Sequence, residues 1–231
     1  MNPRITPRHL HAVGIALWLL GSTIGAQPAS AHSASQYYSA FWPQGSLSVP
    51  WRFTTGITNI SMRDRAKDGA TLWNQEHQPL TFNFESGASD YSQFDGFSCS
   101  ASRPFQKNAV HWQSFSASGR PAAVAETFKC ISSVTHTLLD TQLIANSDIG
   151  ASNFYSGTGS PASNQYDSWS VFAHEFGHMG GWSLHFTKGS SLCNGSPATR
   201  MTMCEGLNTD PGATWRRTLN THDQDTFNNA Y

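Results

Sequence analysis

Charge is scarce in this 231-residue chain. Lysine, arginine, aspartate and glutamate together make up 13% of it, and the formal net charge is −1 at pH 7. It contains no basic run, which argues against nucleic acid as a partner. Long apolar runs are missing too. Val13–Leu20 is too short to cross a bilayer and no other run is long enough, so no membrane span is expected. Cysteine is limited to Cys99, Cys130, Cys193 and Cys204, and no two of them form a C-x-x-C pair. A structural zinc site of four thiolates is therefore disfavoured. There is no internal repeat and no sign of a second folded domain.

What is present begins with a leader. Arg4 and Arg8 form a basic start, Val13–Leu20 an apolar centre, and Ala29-Ser30-Ala31 a small-residue cleavage site. Residues 1–31 thus read as a secretory signal peptide, and the chain as secreted. Cleavage would leave about 200 residues (231 − 31), enough for one domain with its own core, and a net charge of −3. Four cysteines in an exported chain imply two disulfides, with three possible connectivities. Their spacing favours neighbours, Cys99 with Cys130 and Cys193 with Cys204.

The chemistry concentrates in Val171–His185, which contains His174-Glu175-Phe176-Gly177-His178. On a helix, residues i and i+4 share a face, so two imidazoles can meet one metal ion. Glu175 stands about 100° round the helix, within reach of an attacking water without being a ligand. Trp169, Phe172, Ala173 and Phe176 are expected on the opposite, buried face. Gly180-Gly181 supplies a left-handed stop, after which His185 returns as a third ligand. Three neutral imidazoles with one open position suit a single catalytic Zn2+. Zinc brings the pKa of a bound water toward about 7, and Glu175 is positioned as its base.

H-E-F-G-H-x-x-G followed by a histidine resembles the metzincin clan of zinc endopeptidases, whose motif is H-E-x-x-H-x-x-G-x-x-H. Gly181 falls on the motif glycine. The motif's last histidine would fall on Leu184, and His185 comes one residue later. Either the turn after Gly181 holds one extra residue, or the third ligand lies elsewhere. A glutamate-type zincin would use a residue such as Glu205, but those enzymes continue the helix where this chain has two glycines. Met201-Thr202-Met203-Cys204 is similar to the Met-turn of bacterial matrixin-like enzymes, with Met203 beneath the zinc histidines. Leu219–Tyr231 is similar to the matrixin closing helix, with Asp223 on its second aspartate and His222 in place of the first.

The remaining elements are read from periodicity. Residues 32–49 form a polar, aromatic-dotted arm, and the metallopeptidase domain is expected over 50–231. Strands are expected at Trp51–Thr54, Leu80–Phe84, Asn108–Phe115, Val124–Cys130 and Thr137–Asn146. A helix capped by Ser61 and Asp64 spans 61–76, and a final helix is capped by Thr221 and Gln224. His111 and His136 read as ordinary strand residues. Asp90 and Asp95 sit in a polar loop without a defined calcium pattern, so calcium is not indicated. The fold class is α+β. The resemblance implies the zincin-like form: a mixed twisted sheet with an N-terminal helix, a zinc-site helix and a C-terminal helix.

The expected function is a secreted, monomeric zinc endopeptidase acting on protein or peptide. The alternatives are a zincin-fold binding module without catalysis, and a zinc hydrolase cutting cell-wall amides. Glu175 counts against the first, and only fold analogy counts against the second.

Overall fold

The computed structural model describes residues 40–43, 47–75, 79–91, 108–115, 123–183, 185–186, 190–194, 200–205 and 212–231. The expected leader at 1–31, most of the expected arm, and Cys99, Asp95 and Leu184 lie outside these residues.

Five strands build one mixed sheet. β1 (Ser48–Phe53), β2 (Thr81–Phe84), β3 (Asn108–Gln113), β4 (Ala125–Ile131) and β5 (Leu138–Asn146) lie in the order β2-β1-β3-β5-β4. Every adjacent pair is parallel except β4–β5, so β4 is an antiparallel edge strand. β1 shows how pattern sets direction. Val49, Trp51 and Phe53 are buried, while Ser48 and Pro50 point outward. Pro50 has no N–H to give, and pairing with β3 starts only at Trp51. There the Asn108 side chain donates to the Pro50 carbonyl instead, at 2.9 Å.

Among the described residues, three α-helices accompany the sheet. α1 (Ile60–Trp73) buries Met62, Ala66, Gly69, Ala70 and Trp73, the spacing expected for one helix face. Its N-cap is Asn59, whose side chain accepts from Met62 N–H, and not the expected Ser61. After the two-stranded pair β6 (Phe154–Tyr155) and β7 (Tyr166–Asp167), α2 (Ser168–Met179) carries the histidine motif. α3 (Thr221–Asn228) closes the chain. Its capping box is Asn220 with Asp223, one residue before the expected pair.

α2 packs against both α1 and the sheet. Phe176 meets Trp51 at 4.9 Å and Phe82 at 5.2 Å between ring centroids. At the crossing of α1 and α2 the backbones nearly touch. A Cβ on Gly69 would lie 2.7 Å from Ala173 N and 2.8 Å from Phe172 C. Trp73 then donates its indole N–H to the Ala173 carbonyl at 2.7 Å.

Several sequence expectations shift. β1 begins at Ser48, so a domain boundary at 50 cuts through it. Ala40 and Trp42, assigned to the polar arm, are buried in the core. His111 is a buried strand residue facing Gln142, whereas His136 lies in the turn before β5 at φ 54°. Asp90 pairs with Arg63. Trp169 is only half-buried, with the guanidiniums of Arg65 and Arg217 5.3 and 5.5 Å from its ring. Among the described residues, no helix is long and apolar enough to cross a membrane.

Candidate metal centre

The N-terminus of α2 is anchored first. Asp167 caps it by accepting from Ser170 N–H at 3.0 Å and Ser170 Oγ–H at 2.6 Å. The same carboxylate takes two bonds from Arg217, at 2.9 and 2.5 Å, with both side chains largely buried. This bidentate pair joins the helix start to the segment before α3. The C-terminal end is held as firmly. Trp42 Nε1 donates to the Met179 carbonyl at 2.9 Å, and Tyr231 Oη donates to the Gly180 carbonyl at 2.6 Å. Two of the helix's last carbonyls are thus satisfied by segments from near the two ends of the domain.

The two glycines divide their work. Gly181 alone takes the left-handed conformation, at φ 99°. Gly180 caps the helix at an ordinary φ of −73°, and its side-chain space belongs to Phe227, whose ring would lie 2.6 Å from a Cβ there. The chain then turns and places His185 opposite the helix.

The result is a convergence of three imidazoles. His174 Nε2 is 3.0 Å from His185 Nε2 and 3.3 Å from His178 Nε2, and the latter two are 2.9 Å apart. The other ring nitrogens settle the tautomers. His174 Nδ1 lies 2.7 Å from the Thr202 carbonyl, and His178 Nδ1 lies 2.7 Å from the Trp182 carbonyl. A carbonyl only accepts, so both Nδ1 atoms carry the proton and both Nε2 atoms present bare lone pairs. Two bare nitrogens at 3.3 Å repel, and a proton on His185 can answer only one of them. A cation answers all three. Nitrogens held 2.0–2.1 Å from a tetrahedral ion stand about 3.3–3.4 Å apart, close to the observed triangle.

Electrostatics agree with a ligand role. Burial holds His174 well below the usual histidine range and brings His178 down to about 3, with His185 adding to both. Burial also lowers His185, against the pull of Glu205. All three are therefore neutral near pH 7, the state that coordinates metal. Glu205 is exposed, and among the described residues the ligand cluster consists of His174, His178 and His185. The register slip at Leu184 thus does not keep His185 from the site.

Glu175 is buried beside this cluster. Thr127 Oγ1 donates to its Oε2 at 2.8 Å and lies 3.1 Å from its backbone carbonyl. Burial pushes the carboxyl up to about 7, against the Thr127 bond. A pKa near neutrality suits a group that both takes and returns a proton.

Met203 lies under the helix. Its Sδ is the nearest atom to where a Gly177 Cβ would stand, so glycine in the motif makes room for it. The same turn supplies the Thr202 carbonyl to His174 and is held in place by Asp223, which accepts from Thr202 N–H at 2.8 Å. Cys193–Cys204 forms a disulfide that closes the segment between His185 and this turn. Cys130 is also disulfide-bonded, while its expected partner Cys99 lies outside the described residues.

Sequence reasoning missed Thr127, Lys129, Thr202 and Arg217. The nearest signal for the first two was two polar side chains, i and i+2, on one face of the strand 124–130. No family model matches the chain, and no curated protein matches it.

Proposed function

We propose that the chain is a secreted zinc-dependent endopeptidase of metzincin type, resembling bacterial matrixin-like enzymes, with a zincin-like fold. The observation that carries this reading is the convergence of three bare Nε2 atoms beside a buried carboxylate. Zinc, held by His174, His178 and His185, would supply Lewis acidity for a carbonyl and a water. Glu175 accepts a proton from the attacking water and returns it to the leaving amine. Thr127 holds the carboxylate in place through Oε2.

A protein or peptide is the substrate class that the metzincin resemblance implies. Thr127, which bonds Glu175, lies on β4, and β4 packs beside α2. The Met203 turn and the α3 cap at Asp223 support the matrixin-like comparison, and the mixed sheet supports the zincin-like one.

Parallel digestion of casein and purified peptidoglycan by the zinc-loaded protein tests the proposal. Cleavage of casein is expected, with Glu175→Gln keeping zinc and losing roughly 10²–10⁴-fold in kcat. Cleavage of peptidoglycan alone would mark a cell-wall amide hydrolase. Zinc binding without turnover on either would mark a binding module.

A further inference from the structure

Lys129 lies on β4, two residues beyond Thr127, and it does not point to solvent. Its Nζ donates to the Trp182 carbonyl at 2.9 Å and to Ser183 Oγ at 2.8 Å. The Trp182 carbonyl is the oxygen that also accepts from His178 Nδ1. Ser183 stands two positions before His185. One ammonium on the sheet edge therefore grips the turn between the second and third imidazoles.

We propose that Lys129 is a positioning residue of the metal centre: it fixes the turn that presents His185 and, through the shared Trp182 carbonyl, the orientation of His178. This rests on reading the three histidines as a metal site and extends that site to the edge strand. The turn needs such support. It starts at a left-handed glycine, and glycine leaves the backbone more freedom than any other residue. It also runs one residue longer than the metzincin spacing. A ligand shell must be held within about 0.5 Å to bind well, so a loose turn would cost affinity.

Charge and hydrogen bonds pull in opposite directions here. An ammonium repels a dication, so the charge alone weakens metal binding. The two bonds from the ammonium act the other way, and charge-assisted bonds are about twice as strong as neutral ones. An apolar side chain would fill the same space without the penalty of burying charge. The arrangement is thus explained by what the bonds hold in place.

The test uses the full mature chain, purified metal-free. Zn2+ affinity is measured by competition with a chromophoric chelator, alongside the visible absorption of the Co2+-substituted protein and the melting of the metal-free form. Lys129→Met is expected to weaken Zn2+ binding by roughly 10–100-fold and to change the Co2+ bands, with metal-free melting nearly unmoved. Lys129→Arg, which keeps donors and charge, is expected to retain most of the affinity. Ser183→Ala removes one bond and leaves the lysine, so a smaller loss is expected. It decides the matter if Lys129→Met does not fold: a loss of threefold or more supports the role, and none overturns it. Wild-type affinity and spectrum in Lys129→Met would overturn the proposal while leaving the metal centre standing. Tighter binding in that variant would also overturn it, since charge repulsion would then dominate. A wild-type chain that binds no Zn2+ would sink the metal centre and this role together.

Discussion

His185 is the residue on which the proposed metal centre turns. His174 and His178 are placed by helix geometry alone, whereas His185 arrives through a turn one residue longer than the metzincin spacing. One residue spans at most about 3.6 Å, and the turn absorbs it: the His185 Nε2 stands 2.9 and 3.0 Å from the other two. Its ring stacks on that of His174, 15° from parallel. His185→Ala is therefore expected to remove about a third of the metal's binding free energy. For roughly 10–16 kcal/mol in total, that is about 3–5 kcal/mol, or 10²–10⁴-fold. Glu205→Gln is expected to leave affinity nearly unchanged. Zinc titrations of the two variants at one pH decide between them, and the reverse outcome would replace the metzincin reading with the glutamate-type one. The helical pair and Glu175 were legible in the sequence because their relation is local. Thr127 and Lys129 were not, because they meet the site only through strand order. β4 is fourth in sequence but sits at the sheet edge next to α2, and no local period encodes that.

Helix packing decides how α2 is held, and two glycines mark where it has no slack. At Gly69 a methyl group would meet backbone atoms of Phe172 and Ala173, which cannot rotate away. At Gly177 it would meet Met203 Sδ and, at 2.8 Å, the Trp73 ring, and methionine can move. Replacing glycine by alanine inside a helix would by itself contribute about 1 kcal/mol of stability. Overpacking costs about 1–3 kcal/mol or more, so it wins at both positions. Gly69→Ala is expected to lower the melting temperature more than Gly177→Ala. Gly177→Ala should act on metal affinity instead, because the displaced Met203 adjoins Thr202, whose carbonyl orients His174. Thermal melts with and without Zn2+ separate the two, and equal effects at both sites would contradict the argument. At this scale the sequence was informative about which residues are helical and which are buried, Gly69 included. Caps were less legible. Asp167 and Ser168 both suit the start of α2 by sequence, and Asp167 is the cap. α1 and α3 are capped by Asn59 and Asn220 in place of the expected Ser61 and Thr221, because nearby Ser, Thr, Asp and Asn side chains compete on paper. Tertiary partners such as Arg217 then decide among them.

Across the whole molecule the site is braced from segments far apart in sequence. Trp42 and Tyr231 grip one end of α2, Arg217 grips the other, and the Cys193–Cys204 disulfide ties the third-ligand segment to the Met203 turn. Asp223 joins α3 to that turn and makes the coupling testable by pH. It is fully buried, and burial raises its carboxyl from 3.8 to about 7, against the N–H bonds from Thr202 and Asn220. A group whose pKa is raised on folding contributes stability that is fully present below the unfolded value. That contribution is lost as pH rises through the folded value. For Asp223 the window runs from about 3.8 to about 7. Asp223→Asn keeps an oxygen to accept from Thr202 and Asn220 but has no proton to lose. In the metal-free protein the stability of wild type relative to Asp223→Asn should therefore decline steadily from pH 4 to pH 8. The buried histidines titrate in the opposite sense, with stability lost as pH falls below about 6.5, but they are common to both proteins and cancel in the difference. Urea midpoints of the two proteins across this range measure it. A gap that stays constant from pH 4 to pH 8 would mean that the N–H bonds outweigh burial and keep the carboxylate charged throughout. Asp223 would then brace the turn as an anion, and the pH sensitivity of the fold would fall to the buried histidines and Glu175.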